Sequence, residues 1–350
     1  MTNSIESLPT PRHPDPSDAP SLRWGIIAPG GIANDFTDAI RMHTRQKVVA
    51  VGSRTLERAA AFAARHGFER AYGSYEELVA DPEVDVVYVA SPHSEHVAHA
   101  LLAIAAGKHV LIEKPMAVTA AGARSIAAAA RAAGVFAMEA MWTRYLPQTD
   151  IARQLLADGM LGDVEVVTAD FGGAAPFDPA SRLYDPALAG GALLDLGVYV
   201  VSWASFALGA PEHVFATGKL APTGVDAQVA LVLSSPGGGQ ALLSTSLLAG
   251  TPSLGTISGT TGRIETDAPF WGPSGIRFQS RGGTELHWVD PYGRPYRQGM
   301  SYEAAALARY ISEGLTDSPL HPIDEAITTL ATIDEARRQV GYLNVAGGAQ

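Results

Sequence analysis

The chain contains no cysteine, so disulfides and thiolate metal sites are excluded. It lacks an uninterrupted apolar run of about 18 residues, so no membrane-spanning helix is expected. No Lys/Arg-rich run occurs, and the formal net charge is −11. An acidic chain of this kind suits neither nucleic acid nor an anionic membrane as a partner. There is no G-x-S-x-G elbow, no H-E-x-x-H and no P-loop. No His/Asp/Glu set has ligand spacing either, so no metal is expected. Residues 1–21 are rich in Pro, Ser and Asp, with neither an apolar signal core nor a twin arginine. They are expected to form a disordered leader, and the cytoplasm is the expected compartment.

What is present is a globular composition, 47% hydrophobic and 17% charged over 350 residues. That length exceeds one ordinary core, so two domains are expected. From residue 22 to residue 138 strand and helix patterns alternate. Strands are predicted over 22–28, 48–51, 84–90, 109–112 and 135–138, and helices over 32–42, 55–65, 75–79, 95–106 and 120–133. Short connections between such elements indicate α/β architecture with a Rossmann-type, doubly wound parallel sheet over 22–145. A linking helix is predicted over 147–156. Beyond it lie a strand at 164–171 and a long apolar helix at 193–208. Seven more strands follow, at 214–219, 228–234, 240–248, 254–259, 262–266, 276–279 and 285–289. Helices at 302–313 and 323–340 close the pattern. Residues 146–340 are therefore expected to form an α+β substrate and dimerisation domain on a large, mostly antiparallel open sheet. Its final helices could pack back on the first domain, and 341–350 would form a tail.

Chemistry-bearing residues cluster where strands end, the place open α/β sheets bind ligands. After the first strand, Ala28-Pro29-Gly30-Gly31-Ile32-Ala33 follows G-x-G-x-x-G/A with Ala28 in the first glycine position. Gly30 would admit a pyrophosphate, and the helix from Gly31 and Ile32 would offer it free N–H groups. The dinucleotide fingerprint expects an acid about 20 residues on. Here the second strand ends at Gly52-Ser53-Arg54, with Arg58 one turn later. A hydroxyl and two guanidiniums suit a 2′-phosphate, so NADP is the expected cofactor and NAD the weaker one. Ser91, His93 and His96 follow the next strand and would pass the nicotinamide side of a dinucleotide. Either histidine could instead cap or pack against the following helix. Glu113-Lys114-Pro115 ends the strand after that. In the second part, Gly190-Gly191-Ala192-Leu193-Leu194-Asp195-Leu196-Gly197-Val198-Tyr199 puts Asp195 and Tyr199 on one helical face.

Glu113-Lys114-Pro115 together with the Gly190–Tyr199 run resembles the Gfo/Idh/MocA oxidoreductase family over roughly residues 22–340. The E-K-P motif and G-G-x-L-x-D-x-G-x-[HY] both stand intact. Residues 23–26, 71–78, 138–144 and 299–304 are similar to the branch containing dimeric dihydrodiol dehydrogenases and NADP-dependent D-xylose dehydrogenases. The resemblance implies that Lys114 and Tyr199 flank the reacting carbon with Asp195 beside them, and that Glu113 and Lys114 adjoin the cofactor. It implies Trp142, Phe171 and Trp271 as pocket walls, with Phe177, Trp288 and Tyr184 as weaker candidates. It also implies a cis Lys114–Pro115 peptide and a homodimer joined through the open sheet. The outer face of that sheet is expected to carry apolar residues from Val214, Leu231, Leu233, Leu242 and Leu247 among polar ones, with the face of each side chain left open. Free tyrosine has a pKa near 10, so Tyr199 as general acid/base needs a nearby cation, which Lys114 would supply. The implied activity is NADP-dependent hydride transfer at a carbinol carbon of an aldose or cyclic vicinal diol. The competing expectations are an NADPH reductase of a keto sugar such as 1,5-anhydrofructose, and a non-catalytic dinucleotide or sugar sensor.

Overall fold

The computed structural model describes residues 5–291 and 293–342. These divide into two compact units. The first holds Pro14–Tyr145 and Pro295–Ile327, and the second holds Leu146–Arg294 with the described residues before 14 and after 327.

The first unit runs β1 (Arg23–Ile27), α1 (Gly31–His43), β2 (Lys47–Gly52), α2 (Leu56–His66), β3 (Arg70–Tyr72), α3 (Tyr75–Ala80), β4 (Val86–Val89), α4 (His96–Ala105), β5 (His109–Glu113), α5 (Ala120–Ala133) and β6 (Ala137–Ala140). The sheet has the order β3-β2-β1-β4-β5-β6, and every pairing is parallel. Its strands are continuous apolar runs because helices cover both faces. Trp24, Ile26 and Ile27 of β1 and Val86 to Val89 of β4 are all fully buried. From α1, Phe36 stacks on Tyr88 with ring centroids 4.0 Å apart. The indole of Trp24 satisfies its N–H on Gln46 Oε1 at 2.9 Å. Strand β3 has no counterpart in the sequence reading. It is three residues long and only partly buried, so it shows no apolar run. It is held instead by polar contacts, Arg70 Nη1 and Tyr72 Oη donating to the buried Asp81 carboxylate at 3.0 and 2.9 Å.

The second unit contains α6 (Pro147–Ala157), β7 (Val164–Gly172), α7 (Val198–Leu208), β8 (His213–Leu220), β9 (Asp226–Ser234), β10 (Gln240–Ser246), β11 (Gly255–Gly259), β12 (Gly262–Thr266), β13 (Gly275–Ser280) and β14 (Glu285–Val289). The sheet order is β14-β13-β12-β11-β7-β10-β9-β8, with only the β7–β10 pair parallel. Of the last two helices, α8 (Met300–Ser312) belongs with the first unit, whereas α9 (Ile323–Gln339) begins in the first unit and ends in the second. α7 is apolar all round and buried from Val198 to Ser205, as a helix under a sheet must be. A π-helical turn, Leu193–Gly197, leads into it. Such turns often mark functional sites.

Three expectations need correction. First, the described part of residues 1–21 is packed. Arg12 binds the buried Asp150 carboxylate through its N–H at 2.8 Å and its guanidinium at 3.0 Å. Further on, Asp15 caps the turn Pro16–Asp18 and Ala19 packs against Ala305 and Ala308. The charged partners and the small-residue contact lie far away in sequence, so composition alone hides them. Second, an apolar window of 18 residues does occur, within Pro186–Leu208, with mean hydropathy 1.5, while the expectation of no membrane-spanning helix is not overturned. Of that window 67% is buried inside the protein, as in a core element. Third, Leu231, Leu233 and Leu247 face inward and are buried. The exposed row is Phe215, Val232 and Leu242, paired across β8, β9 and β10. The predicted tail, 341–350, lies mostly outside the described residues.

The first-strand turn yields a stability prediction. Ala28 has φ 66°, in the left-handed region. Its N–H donates to Gly52 O at 3.1 Å and its carbonyl accepts from Gly30 N–H at 2.8 Å, so the turn is fixed. Left-handed backbone costs a residue with a Cβ roughly 1–2 kcal/mol. Glycine's looser unfolded chain costs about 0.5–1 kcal/mol. Ala28→Gly is expected to match or exceed wild-type stability in urea denaturation, and the β-branched Ala28→Val to lose more than about 1 kcal/mol. A clearly destabilised Ala28→Gly would contradict this reading of the turn.

Candidate functional site

In the first unit the strand order reverses between β1 and β4, so the loops leaving these strands diverge and open a crevice at their carboxyl ends. The β1 loop enters α1 at Gly30, which caps the helix without a side-chain hydrogen bond. The first turn of α1 contains no acid, so its N–H groups and dipole favour an anion. A Cβ on Gly30 would come no nearer than 4.0 Å to any other atom, and one on Gly31 would meet nothing within 4 Å. The protein itself therefore does not require glycine here, and the open space would admit the backbone-close approach of an anionic ligand. At the end of β2, Ser53 is buried and donates its N–H to Tyr72 O at 3.1 Å. Arg54, just before α2, and Arg58, in its first turn, stand exposed. Their charges both bear on the Tyr75 phenol, whose pKa burial pushes up and they pull down.

The β4 and β5 ends are tied together. His96 is fully buried, its ring nitrogens 2.7 Å from Pro115 O and 2.9 Å from Ser91 O. Two carbonyls ask for two N–H donors, which the imidazolium has, whereas burial pushes its pKa down. His96 has no exposed surface, so its place among the expected cofactor contacts is corrected to a brace between two loops. His93 is half-buried, its ring 5.6 Å from that of His96. Ser91 Oγ bonds His99 Nδ1 at 2.9 Å. Glu113 turns inward, accepting a short hydrogen bond from Tyr88 Oη and one from Lys114 N–H at 3.2 Å. Burial pushes its pKa up. The same holds more strongly for the fully buried Glu303 of α8, with Glu113 and Glu139 adding to the effect. Lys114 is half-buried at the strand end, and its peptide bond to Pro115 is cis. Trp142, on the turn after β6, packs edge-on against Tyr296 at 6.2 Å.

In the second unit three residues from distant segments meet. Phe171 (end of β7) stacks on Trp271 (after β12) with centroids 4.8 Å apart and planes 13° from parallel. The ring of Tyr199 stands 5.6 Å from Phe171 and 6.2 Å from Trp271. Asp195 lies one turn before Tyr199 and accepts from Arg182 Nη1 at 3.0 Å. Phe177 instead packs on Tyr184 at 5.0 Å. The glycines of the motif have packing reasons. A Cβ on Gly190 would sit 2.6 Å from Leu183 O, and one on Gly191 2.3 Å from Asp226 Oδ1, with Gly191 at φ 123°. Arg182, Asp226 and Tyr296 escaped sequence reading. Arg182 and Tyr296 lie in loops without periodicity, and Asp226 acts across 33 residues. Among the described residues no group of His, Asp and Glu could hold a metal ion.

Comparison with known proteins agrees with both units. Residues 22–141 match the model described as an oxidoreductase family with an NAD-binding Rossmann fold. Residues 150–265 match the GFO/IDH/MocA C-terminal domain. The chain is 40% identical over 329 residues to trans-1,2-dihydrobenzene-1,2-diol dehydrogenase from Bos taurus, covering 92% of this chain and 97% of the relative. The Homo sapiens protein of the same name is 38% identical with the same coverage. Among solved structures, an aldose-aldose oxidoreductase from Caulobacter crescentus complexed with glycerol aligns with TM-score 0.81 at 26% identity, over 92% of this chain and 98% of that one. A 3-ketoreductase from Actinomadura kijaniata in complex with NADP and TDP-benzene aligns with TM-score 0.80 at 26% identity and the same coverage. With both halves of the fold matched, the chain belongs to the Gfo/Idh/MocA family of oxidoreductases.

Proposed function

We propose that this protein is an NADP-dependent dehydrogenase that moves hydride between nicotinamide and a carbinol carbon of an aldose or cyclic vicinal diol. The observation that carries the reading is the Phe171–Tyr199–Trp271 cluster, which sets a phenol against two aromatic walls. Aromatic faces suit the apolar face of a sugar ring or a cyclohexadiene diol, and the phenol supplies proton transfer. The names of the diol dehydrogenases at about 40% identity and of the aldose oxidoreductase point to the same substrate class. When bound, the nicotinamide accepts or returns the hydride. The chain does the rest. Gly30, Gly31 and Ile32 hold the pyrophosphate at the start of α1, with Ser91, His93 and Glu113 framing the strand ends. Ser53, Arg54 and Arg58 take the 2′-phosphate. Tyr199 is assigned the hydroxyl proton, Lys114 the substrate oxygen, and Trp142 a further wall. Asp195, paired with Arg182, keeps that guanidinium beside the reacting turn. We assign the protein to the cytoplasm and to a homodimer joined through the open sheet, where Phe215, Val232 and Leu242 form an exposed apolar row and Val166 is exposed on the same face.

Three measurements follow from this reading. NADP should bind more tightly than NAD, and Arg54→Ala should lose on the order of tenfold or more in NADP affinity, as charge-assisted bonds do. Equal affinity of the wild type for both cofactors would contradict the phosphate assignment. Tyr199→Phe should keep cofactor affinity and lose about 100-fold or more in turnover, the usual share of a general acid/base. Lys114→Ala should be similarly impaired, and near-normal turnover in Tyr199→Phe would hand the proton to another group. Light scattering should give twice the chain mass of 36.6 kDa, and Leu242→Glu should shift the protein toward the single-chain mass. A single-chain mass in the wild type across dilutions would rule out the dimer.

A further inference from the structure

Asp226 opens β9 and is fully buried. Its Oδ2 accepts the backbone N–H of Leu193 at 2.6 Å. Leu193 begins the turn that carries Asp195 and leads to Tyr199. The first N–H groups of a helix have no partner within it and need one from outside. Here the partner comes from a strand 33 residues on. The chain is shaped around this contact. Gly191 lies against Asp226 Oδ1 so closely that any Cβ would overlap it, at 2.3 Å, and its φ of 123° also demands glycine. Gly190 is held as tightly against Leu183 O. Gly191 therefore lets the helix start lie against Asp226, and Gly190 lets it lie against the Leu183 carbonyl.

We propose that Asp226 is a positioning residue for the reacting centre, clamping through Leu193 N–H the turn from which Asp195 and Tyr199 project. The inference rests on the reading of Tyr199 as the proton-transfer group. The clamp is electrostatically costly. Oδ1 is buried without a hydrogen-bond partner. The charged group that bears on Asp226 is the buried Arg337 of α9, which favours the carboxylate, as do the N–H groups of Leu193 and Ala192. Burial outweighs them and pushes the pKa from 3.8 up to about 7. A carboxyl group whose folded pKa is raised adds stability that is complete below its unfolded value and is lost as pH rises through the folded one. Openings of the turn that return Asp226 to water are thus hardest in mildly acidic solution and become easier as pH rises through about 7, even though the Leu193 N–H bond itself is stronger to the carboxylate.

The test is hydrogen–deuterium exchange of the full chain over residues 190–199, corrected for intrinsic rates, in wild type, Asp226→Asn and Asp226→Ala. Wild-type protection should fall about tenfold between roughly pH 6 and pH 8. Asp226→Asn keeps an acceptor and the volume but cannot ionise, so its protection should stay level. Asp226→Ala leaves a buried N–H without a partner and should lose on the order of tenfold protection or more at every pH. Turnover of Asp226→Ala with NADP and trans-1,2-dihydrobenzene-1,2-diol or D-xylose should fall by about the same factor, with NADPH affinity unchanged. Wild-type protection independent of pH, the same slope in Asp226→Asn, or unchanged turnover in Asp226→Ala would each overturn the clamp. If no substrate is turned over by the wild type while exchange behaves as expected, the functional reading fails and the clamp stands. Should Asp226→Ala not fold, the comparison of wild type with Asp226→Asn decides.

Discussion

The reversal of strand order between β1 and β4 is the constraint on which the first unit depends. Parallel strands bury both faces, so their side chains cannot present chemistry, and function is confined to the loops at their carboxyl ends. The residues there fall into two kinds. Gly30, Gly31, Arg54 and Arg58 lie open, without internal reasons for their identity. Ser53, His96 and Glu113 are buried and bonded within the unit, Ser53 N–H to Tyr72 of β3, His96 to two loop carbonyls and Glu113 to Tyr88 of β4. The second kind makes the first possible, because a backbone held at Ser91 and Pro115 by one imidazole gives Lys114 a fixed origin.

In the second unit the same logic runs through a helix. The turn Leu193–Gly197 is π-helical and buried, and it delivers Tyr199 to the aromatic pair Phe171 and Trp271. Its position is set by contacts that carry no chemistry of their own. Two glycines crowd a carbonyl and a carboxyl group, and Asp226 closes the helix start. Arg182 neutralises Asp195, which would otherwise be a costly charge in an apolar stretch. That guanidinium matches the Asp195 charge from within the same unit.

Much of this was legible in the residue order. The apolar runs at 84–90 and 109–112 announce buried parallel strands, and Gly190-Gly191 announces a backbone that crowds something. What it crowds was not legible, because Asp226 has no local pattern linking it to Leu193. The inward turn of Leu231 and Leu233 escaped for another reason. Along a strand a shift of one residue exchanges the two faces, and only the pairing of Phe215, Val232 and Leu242 fixes which face is outward. Strand β3 was missed because polar contacts rather than an apolar run hold it, and the packed segment around Arg12 because its partner Asp150 is distant in sequence.

The central claim is that hydride passes between a carbinol carbon and nicotinamide on this protein. Its most direct test is to incubate the purified chain with NADP and a substrate deuterated at the reacting carbinol carbon. D-xylose and trans-1,2-dihydrobenzene-1,2-diol are the first two to try. Mass spectrometry of the cofactor then reads the outcome. The account predicts reduced cofactor that carries the substrate's deuterium. Reduced cofactor without the label, or no reduced cofactor with any aldose or cyclic diol, would contradict it.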